Sequence, residues 1–191
     1  MSSIELVGRY LAERGRPTVF VPLALLIAET AWLAAPVVEG SAASFGLCAM
    51  QALLLILALR VWDDMQDRPR DALAHPDRIT VRVQRVGPLA GLSAVLAMVA
   101  GLSLVGATAL AARIAILAAI VLGLLVWYRT RPVETSRLGA VVLLAKYPAL
   151  AIALAPGLSD LAPMRAVAAA GALYLVACAY ELLKDRHRGI S

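Results

Sequence analysis

Cysteine and histidine are scarce in this chain, which has two of each. Cys48 and Cys178 fall inside apolar stretches without paired spacing, so we interpret both as apolar packing residues, not as a disulfide or a metal knuckle. His75 and His187 also lack the spacing of metal ligands. No Ser/His/Asp or Cys/His arrangement and no glycine-rich phosphate loop is present in the sequence. Hydrolase and nucleotide-binding functions are therefore disfavoured.

Charged residues are scarce as well, at 16% of the chain, whereas 61% is hydrophobic and the mean hydropathy is +0.81. Soluble domains contain about 45–50% apolar residues, so we expect lipid as the solvent. Crossing the hydrocarbon core takes about 20 apolar residues. No Gly/Ser linker divides the chain, which predicts a single domain over 1–191. The fold class predicted is an all-α, polytopic membrane bundle of about six transmembrane helices, at 18–37, 43–62, 87–108, 111–128, 138–157 and 164–183.

The net charge of +5 is concentrated beside the ends of these stretches. Basic residues precede the first stretch, fill the connection at 60–85, flank 129–137 and end the chain. The positive-inside rule then places these connections and both termini in the cytoplasm, with the protein in the inner (cytoplasmic) membrane. Topology and anionic lipid explain the basic residues, so we expect no nucleic-acid partner.

Four aspartates, Asp63, Asp64, Asp67 and Asp71, lie at and beyond the end of the second stretch. On a continuing helix, the last three would share one face at positions i, i+3 and i+7. Carboxylates on one face repel each other, and Mg²⁺ is a hard cation that supplies the missing counter-charge. The segment therefore indicates a magnesium site, with an ordinary solvated helix end as the alternative.

The end of the sixth stretch repeats the pattern found at the end of the second. Both read aromatic, acid, three residues, Asp, Arg, any residue, Arg, at 62–70 and 180–188. In the predicted topology both stretches run toward the cytoplasm. We therefore expect the two acidic groups to face each other around a shared ligand, although chance similarity between two helix ends is the alternative.

These motifs resemble those of one membrane-enzyme family. Asp63-Asp64-x-x-Asp67-x-x-x-Asp71 is similar to the Asn-Asp-x-x-Asp-x-x-x-Asp motif that follows the second helix of UbiA-type intramembrane prenyltransferases. Arg16-Pro17 resembles the Arg-Pro that often opens the first helix. The resemblance implies a UbiA-like helical barrel in which two acidic motifs bind Mg²⁺ and the diphosphate of an isoprenoid donor. It implies these metal ligands: Asp64, Asp67 and Asp71, with Asp63 beside them, and Glu181 and Asp185 in the second motif.

The chain departs from the family pattern in three ways. Asp63 stands where the family has Asn, the second motif is reduced to Glu181 and Asp185, and six residues follow Asp185. Family members continue for about three more helices. The expectation is a six-helix minimal enzyme, a homo-oligomer that closes the cavity, or an inactive relative.

Further site residues are predicted from their chemistry. Arginine grips phosphate oxygens at two points. Lys146 lies about 13 Å along the fifth predicted helix, too deep to reach water easily, so it should face the interior. There it could pair with an acid or reach the diphosphate, with snorkelling past a bend at Pro148 as the alternative. Tyr147 could shield a carbocation through its ring, with anchoring at the membrane interface as the alternative. The predicted catalytic residues are Lys146, Tyr147 and Arg60, and the predicted substrate-binding residues are Arg16, Arg68, Arg78, Arg129 and Arg131; for each arginine, a purely topological role is the alternative.

The sequence thus predicts a Mg²⁺-dependent prenyltransferase that acts on a prenyl diphosphate and a lipophilic acceptor at the cytoplasmic face, surrounded by membrane lipid. Two alternatives stay open. One is a non-catalytic scaffold or lipid-binding relative. The other is a CDP-alcohol phosphotransferase, whose Asp-x-x-Asp-Gly-x-x-Ala-Arg core is not matched because Arg68 follows Asp67.

Overall fold

Every regular element in the described part of the chain is helical. The computed structural model describes residues 2–35, 41–131 and 137–188, apart from the side chains of 137–138, 140 and 184–188. The helices are α1 (Ser3–Arg14), α2 (Pro17–Ala34), α3 (Ala42–Gln66), α4 (Arg68–Ala74), α5 (Ile79–Arg82), α6 (Gly87–Leu102), α7 (Leu110–Thr130), α8 (Arg137–Leu144), α9 (Lys146–Leu154) and α10 (Pro163–Arg188), with a turn of 3-10 helix at Leu158–Asp160.

Four of these helices are long and apolar enough to cross a membrane: α2, α3, α7 and the Pro163–Leu183 part of α10. Each of the six predicted apolar stretches contains a helix, although 103–108 of the third stretch lies in turns beyond α6. However, α6 has 16 residues, a length of about 24 Å at 1.5 Å per residue, against a hydrocarbon core of about 30 Å. The fifth stretch is divided between α8 and α9. An all-α protein with four candidate spans is therefore shown, and six spans stay a prediction.

The fifth stretch is interrupted at Ala145, between α8 and α9. Pro148 explains the interruption, since it has no backbone N–H to donate to the carbonyl of Leu144 four residues earlier. Lys146 begins α9 and is 8% exposed. Its burial agrees with the expectation that it faces the interior.

The chain divides into two compact units, of which unit 1 is Met1–Leu25 and Met50–Val105. Its helix α1 packs against α5 and α6. The Ser2 hydroxyl caps α1 by accepting from the backbone N–H of Glu5 at 3.1 Å, and Gly15 follows the last turn. A buried apolar cluster joins α1 to the end of α3. It consists of Leu6, Tyr10, Val61, Ile79 and Leu89, with Met65, Val83 and Leu92 packed against it.

Unit 2 is Leu26–Ala49 and Gly106–Ser191, in which α9 packs against α7 and α10. Arg113 of α7 is 4% exposed and donates to the backbone carbonyls of Thr108 (2.9 Å), Ala153 (2.7 Å) and Ala155 (2.7 Å). The last carbonyls of a helix have no partner within the helix, so Arg113 supplies donors at the end of α9. Both cysteines are free, as expected.

Candidate functional site: a charge cluster in unit 1

The end of α3 carries the first predicted acidic residues. Its 25 residues extend about 37 Å, more than the hydrocarbon thickness of about 30 Å, so a spanning α3 places one end in the polar interface. The expectation of one helix continuing through Asp71 is wrong, because α3 ends at Gln66 and α4 begins at Arg68. Pro69 lacks the N–H that would extend the α3 ladder. Asp67 therefore lies in the turn, and α4 carries Asp71.

Asp64 is the centre of a buried network and is 2% exposed. Its Oδ2 accepts from the Tyr10 hydroxyl at 2.9 Å and from Arg14 Nε at 3.0 Å. Its Oδ1 accepts from Arg14 Nη2 at 2.6 Å and lies 3.0 Å from Arg60 Nη2. A carboxylate offers about four lone-pair positions, and these contacts fill them. The counter-charge of Asp64 is thus supplied by two arginines.

The donors on α1 are held in their hydrogen-bonding forms. Burial, and then the negative charge of Asp64, raise the pKa of Tyr10 well above its usual range. Burial of Arg14 lowers its pKa, but the hydrogen bond and the attraction to Asp64 outweigh it, and the net shift of the pKa is upward. The charge of Asp71 also raises the pKa of Arg14. Both aspartates therefore raise the pKa of Arg14, and its guanidinium group stays charged.

Asp71 forms the second ion pair of the site. It is 4% exposed, and its Oδ1 accepts from Arg78 Nη1. Its Oδ2 is buried and has no hydrogen-bond partner within the described residues. Buried carboxylate oxygens usually have a partner, so this oxygen fits a cation. We call the six residues that form these two networks the charge cluster: Tyr10, Arg14, Arg60, Asp64, Asp71 and Arg78.

The fit to magnesium differs among the predicted ligands. Asp71 fits, whereas Asp64 would have to exchange an arginine or tyrosine contact for the metal. Asp63 is buried and Asp67 half-buried, and both have interaction partners. Over the described residues, no three His, Cys, Asp or Glu side chains are grouped so that they could hold a metal ion. The magnesium site stays a prediction, with Asp71 as its best-placed residue.

Two of the predicted substrate-binding arginines in unit 1 lie apart from these ion pairs. Arg68 Nη2 donates to the carbonyl of Val83 at 2.7 Å and so fixes the segment after α5. Arg16 is exposed, and its carbonyl accepts the backbone N–H groups of Val19 and Phe20 at the start of α2. Arg68 therefore has a structural contact, and the substrate-binding roles of both arginines stay predictions.

The remaining predicted residues belong to unit 2. Arg129 is exposed in the last turn of α7, and Arg131 lies with its Cζ 4.2 Å from the centroid of the Tyr128 ring. The Nζ of Lys146 lies 5.6 Å from the centroid of the Tyr147 ring. Two acids lie on α10: Glu181 is half-buried, and the side chain of Asp185 is outside the described residues. The meeting of the two acidic segments stays a prediction.

Tyr10 was not among the predicted site residues, and Arg14 was only one of the basic residues that precede the first apolar stretch. Their contacts with Asp64 span 54 and 50 residues of sequence, so no local spacing indicates them. One signal was present. Leu6, Tyr10 and Arg14 follow one another at intervals of four residues, which places them on one face of a helix.

The charge cluster brings three arginines together at the end of α3. At Asp64, two guanidinium groups face one carboxylate. Arginine forks match phosphate oxygens, so an anionic headgroup suits this end of α3.

Compared with protein-family models, with curated proteins and with solved structures, the chain gives no match.

Proposed function

We propose that the chain is a Mg²⁺-dependent, prenyltransferase-like membrane enzyme that binds the diphosphate of an isoprenyl donor at the charge cluster. The proposal includes a UbiA-like bundle of six spans in the inner membrane, with both termini and the charge cluster on the cytoplasmic side. A lipophilic acceptor receives the prenyl group. The observation that carries the proposal is the grouping of three arginines and two acids at the end of α3, where a spanning helix leaves the hydrocarbon.

Each residue of the charge cluster has a part in this proposal. Arg14 and Arg60 bind phosphate oxygens, because a guanidinium fork offers two parallel donors. Asp64 orients those two side chains, and Tyr10 fixes Asp64 by donating to its Oδ2. Arg78 holds Asp71 through one oxygen, which leaves Oδ2 for the cation. Magnesium bound there supplies positive charge that stabilises the departing diphosphate.

The direct test is pyrophosphate release by the purified, reconstituted protein from a panel of prenyl diphosphates in the presence of Mg²⁺. We expect Asp71→Asn to lower release by about 10²-fold, the usual cost of losing one transition-state charge contact. Asp77→Asn is the matched control, because the Asp77 side chain is 90% exposed and pairs only with the exposed Arg82 in the described structure. Absence of release from every donor removes the enzyme proposal.

A second candidate is a non-catalytic, lipid-binding relative. The observation that favours it is the complete use of the Asp64 oxygens by Tyr10, Arg14 and Arg60. A non-hydrolysable prenyl diphosphate analogue distinguishes the two candidates through protection from proteolysis. Mg²⁺-dependent protection that is lost in Asp67→Ala and Asp185→Ala supports the donor site. Protection that is indifferent to both variants and to Mg²⁺ supports the non-catalytic relative.

A further inference from the structure

Helix α1 presents three different faces. Leu6 and Tyr10, one turn apart, are buried in unit 1. Glu5 and Arg9 form an exposed ion pair with an N–O distance of 3.0 Å. The third face is apolar: Ile4 is 88% exposed and Leu11 is 42% exposed. These two residues are seven positions, or about two turns, apart and therefore share one side of the helix.

This helix lies within reach of a membrane surface. Only Gly15 and Arg16 separate it from α2, so the Cα atoms of Arg14 and Pro17 are at most about 11 Å apart. The 18 residues of α2, a candidate span, extend about 27 Å, which is close to the hydrocarbon thickness of about 30 Å. A spanning α2 therefore places Pro17, and with it the end of α1, at the membrane surface.

The packing of α1 also places it against the ends of other helices in unit 1. The cluster around Leu6 and Tyr10 consists of residues at the ends of other helices: Val61 in the last two turns of α3, Ile79 at the start of α5 and Leu89 in the first turn of α6. Leu6 and Tyr10 are one turn apart, so two successive turns of α1 pack against these helix ends.

We infer that α1 is an interfacial helix whose Ile4–Leu11 face rests in the lipid bilayer, while the Glu5–Arg9 pair faces water. Amphipathic helices of this kind bury their apolar face about 5–10 Å into the boundary between headgroups and acyl chains. The same helix carries Tyr10 and Arg14, so the lipid contact also keeps these donors against Asp64. The inference goes beyond the proposed function and does not depend on diphosphate chemistry.

The test uses the full chain with Cys48→Ala and Cys178→Ala, so that a single new cysteine carries a fluorescent NBD group. Ile4→Cys and Leu11→Cys report the apolar face, and Arg9→Cys is the control on the polar face of the same helix. Each protein is reconstituted into phosphatidylcholine vesicles, with or without lipid doxyl-labelled near the carbonyl end of its acyl chain. Circular dichroism confirms that each variant keeps its helix content.

We expect quenching at positions 4 and 11 to be several-fold stronger than at position 9, with emission shifted to shorter wavelength. Equal quenching at all three positions, strong or weak, overturns the inference, because the helix is then surrounded by lipid or by water. Weak quenching at position 4 together with disulfide cross-linking between two copies at that position also overturns it. In that case a second chain covers the face.

Discussion

The contact between Arg14 and Asp64 gives the sharpest test of the structure. Arg14→Met removes two of the four contacts to the Asp64 oxygens and keeps most of the aliphatic packing. The side chains are 14% and 3% exposed, and breaking a buried pair from one side costs about 3–5 kcal/mol. Arg60 remains in place but is 36% exposed and compensates only in part, so we expect a loss of about 3 kcal/mol in the free energy of unfolding.

A double-mutant cycle separates this interaction from other effects of the substitutions. Asp64→Asn alone leaves two guanidinium groups beside a neutral amide, whereas the double variant lacks the pair altogether. We expect a coupling free energy of about 1.5–3 kcal/mol. The control cycle uses Glu5→Gln and Arg9→Met on the same helix, a pair at 3.0 Å with both side chains at least 46% exposed. Its coupling should be below about 0.5 kcal/mol.

The measurement is unfolding by SDS in mixed micelles, followed by tryptophan fluorescence and by circular dichroism. Both signals should give the same midpoint for each variant, since a shared transition is required for a free-energy cycle. If the coupling between Arg14 and Asp64 is no larger than the coupling in the control pair, then α1 does not dock on α3 as described. The positioning roles of Tyr10 and Arg14 would fail with it.

Three further predictions use the same assay. Arg113→Lys cannot keep all three carbonyl contacts and should lower stability by about 2–4 kcal/mol; an unchanged midpoint would contradict the role of Arg113 at the end of α9. Gly15→Ala places a Cβ 2.4 Å from the carbonyl oxygen of Leu11 and should lower the free energy of unfolding by about 1–3 kcal/mol. In the control Gly8→Ala the new Cβ meets no atom within 4 Å, and the variant should stabilise α1 by about 0.5–1 kcal/mol. Burial and Asp64 raise the pKa of Tyr10, so the folded state keeps a proton that the unfolded chain loses above about pH 10. The free energy of unfolding should therefore fall as the pH rises past that value, and it should fall less steeply in Tyr10→Phe.

Hydropathy predicted the helices well, because a long apolar run in this chain has few alternatives to a helix. Each of the six apolar stretches contains a helix in the described residues, and two of the differences from the predicted helices lie at prolines. Pro69 ends the helix that the aspartate spacing assumed to be continuous, and Pro148 accompanies the interruption at Ala145. Both are backbone effects of a missing N–H, which an average over 20 residues does not register.

The site was only partly predictable. The acidic spacing drew attention to Asp64 and Asp71, which lie in buried ion pairs. Two of the three arginines beside them, Arg60 and Arg78, were among the predicted residues. The acidic spacing predicted magnesium as the counter-charge, since repulsion among carboxylates requires a positive charge but does not specify its source. Arg14 supplies much of it from a helix 50 residues earlier, and a contact of that separation depends on tertiary packing.

Arg113 has a dynamic consequence. Its guanidinium group donates to the carbonyls of Ala153 and Ala155, on the two sides of the corner that follows α9. It also donates to the carbonyl of Thr108, just before its own helix. The corner therefore cannot fray one residue at a time, because a small opening must break several bonds to a single planar group. Amide hydrogens at the end of α9 and at the start of α7 should therefore show the same free energy of opening in hydrogen exchange, as one cooperative unit.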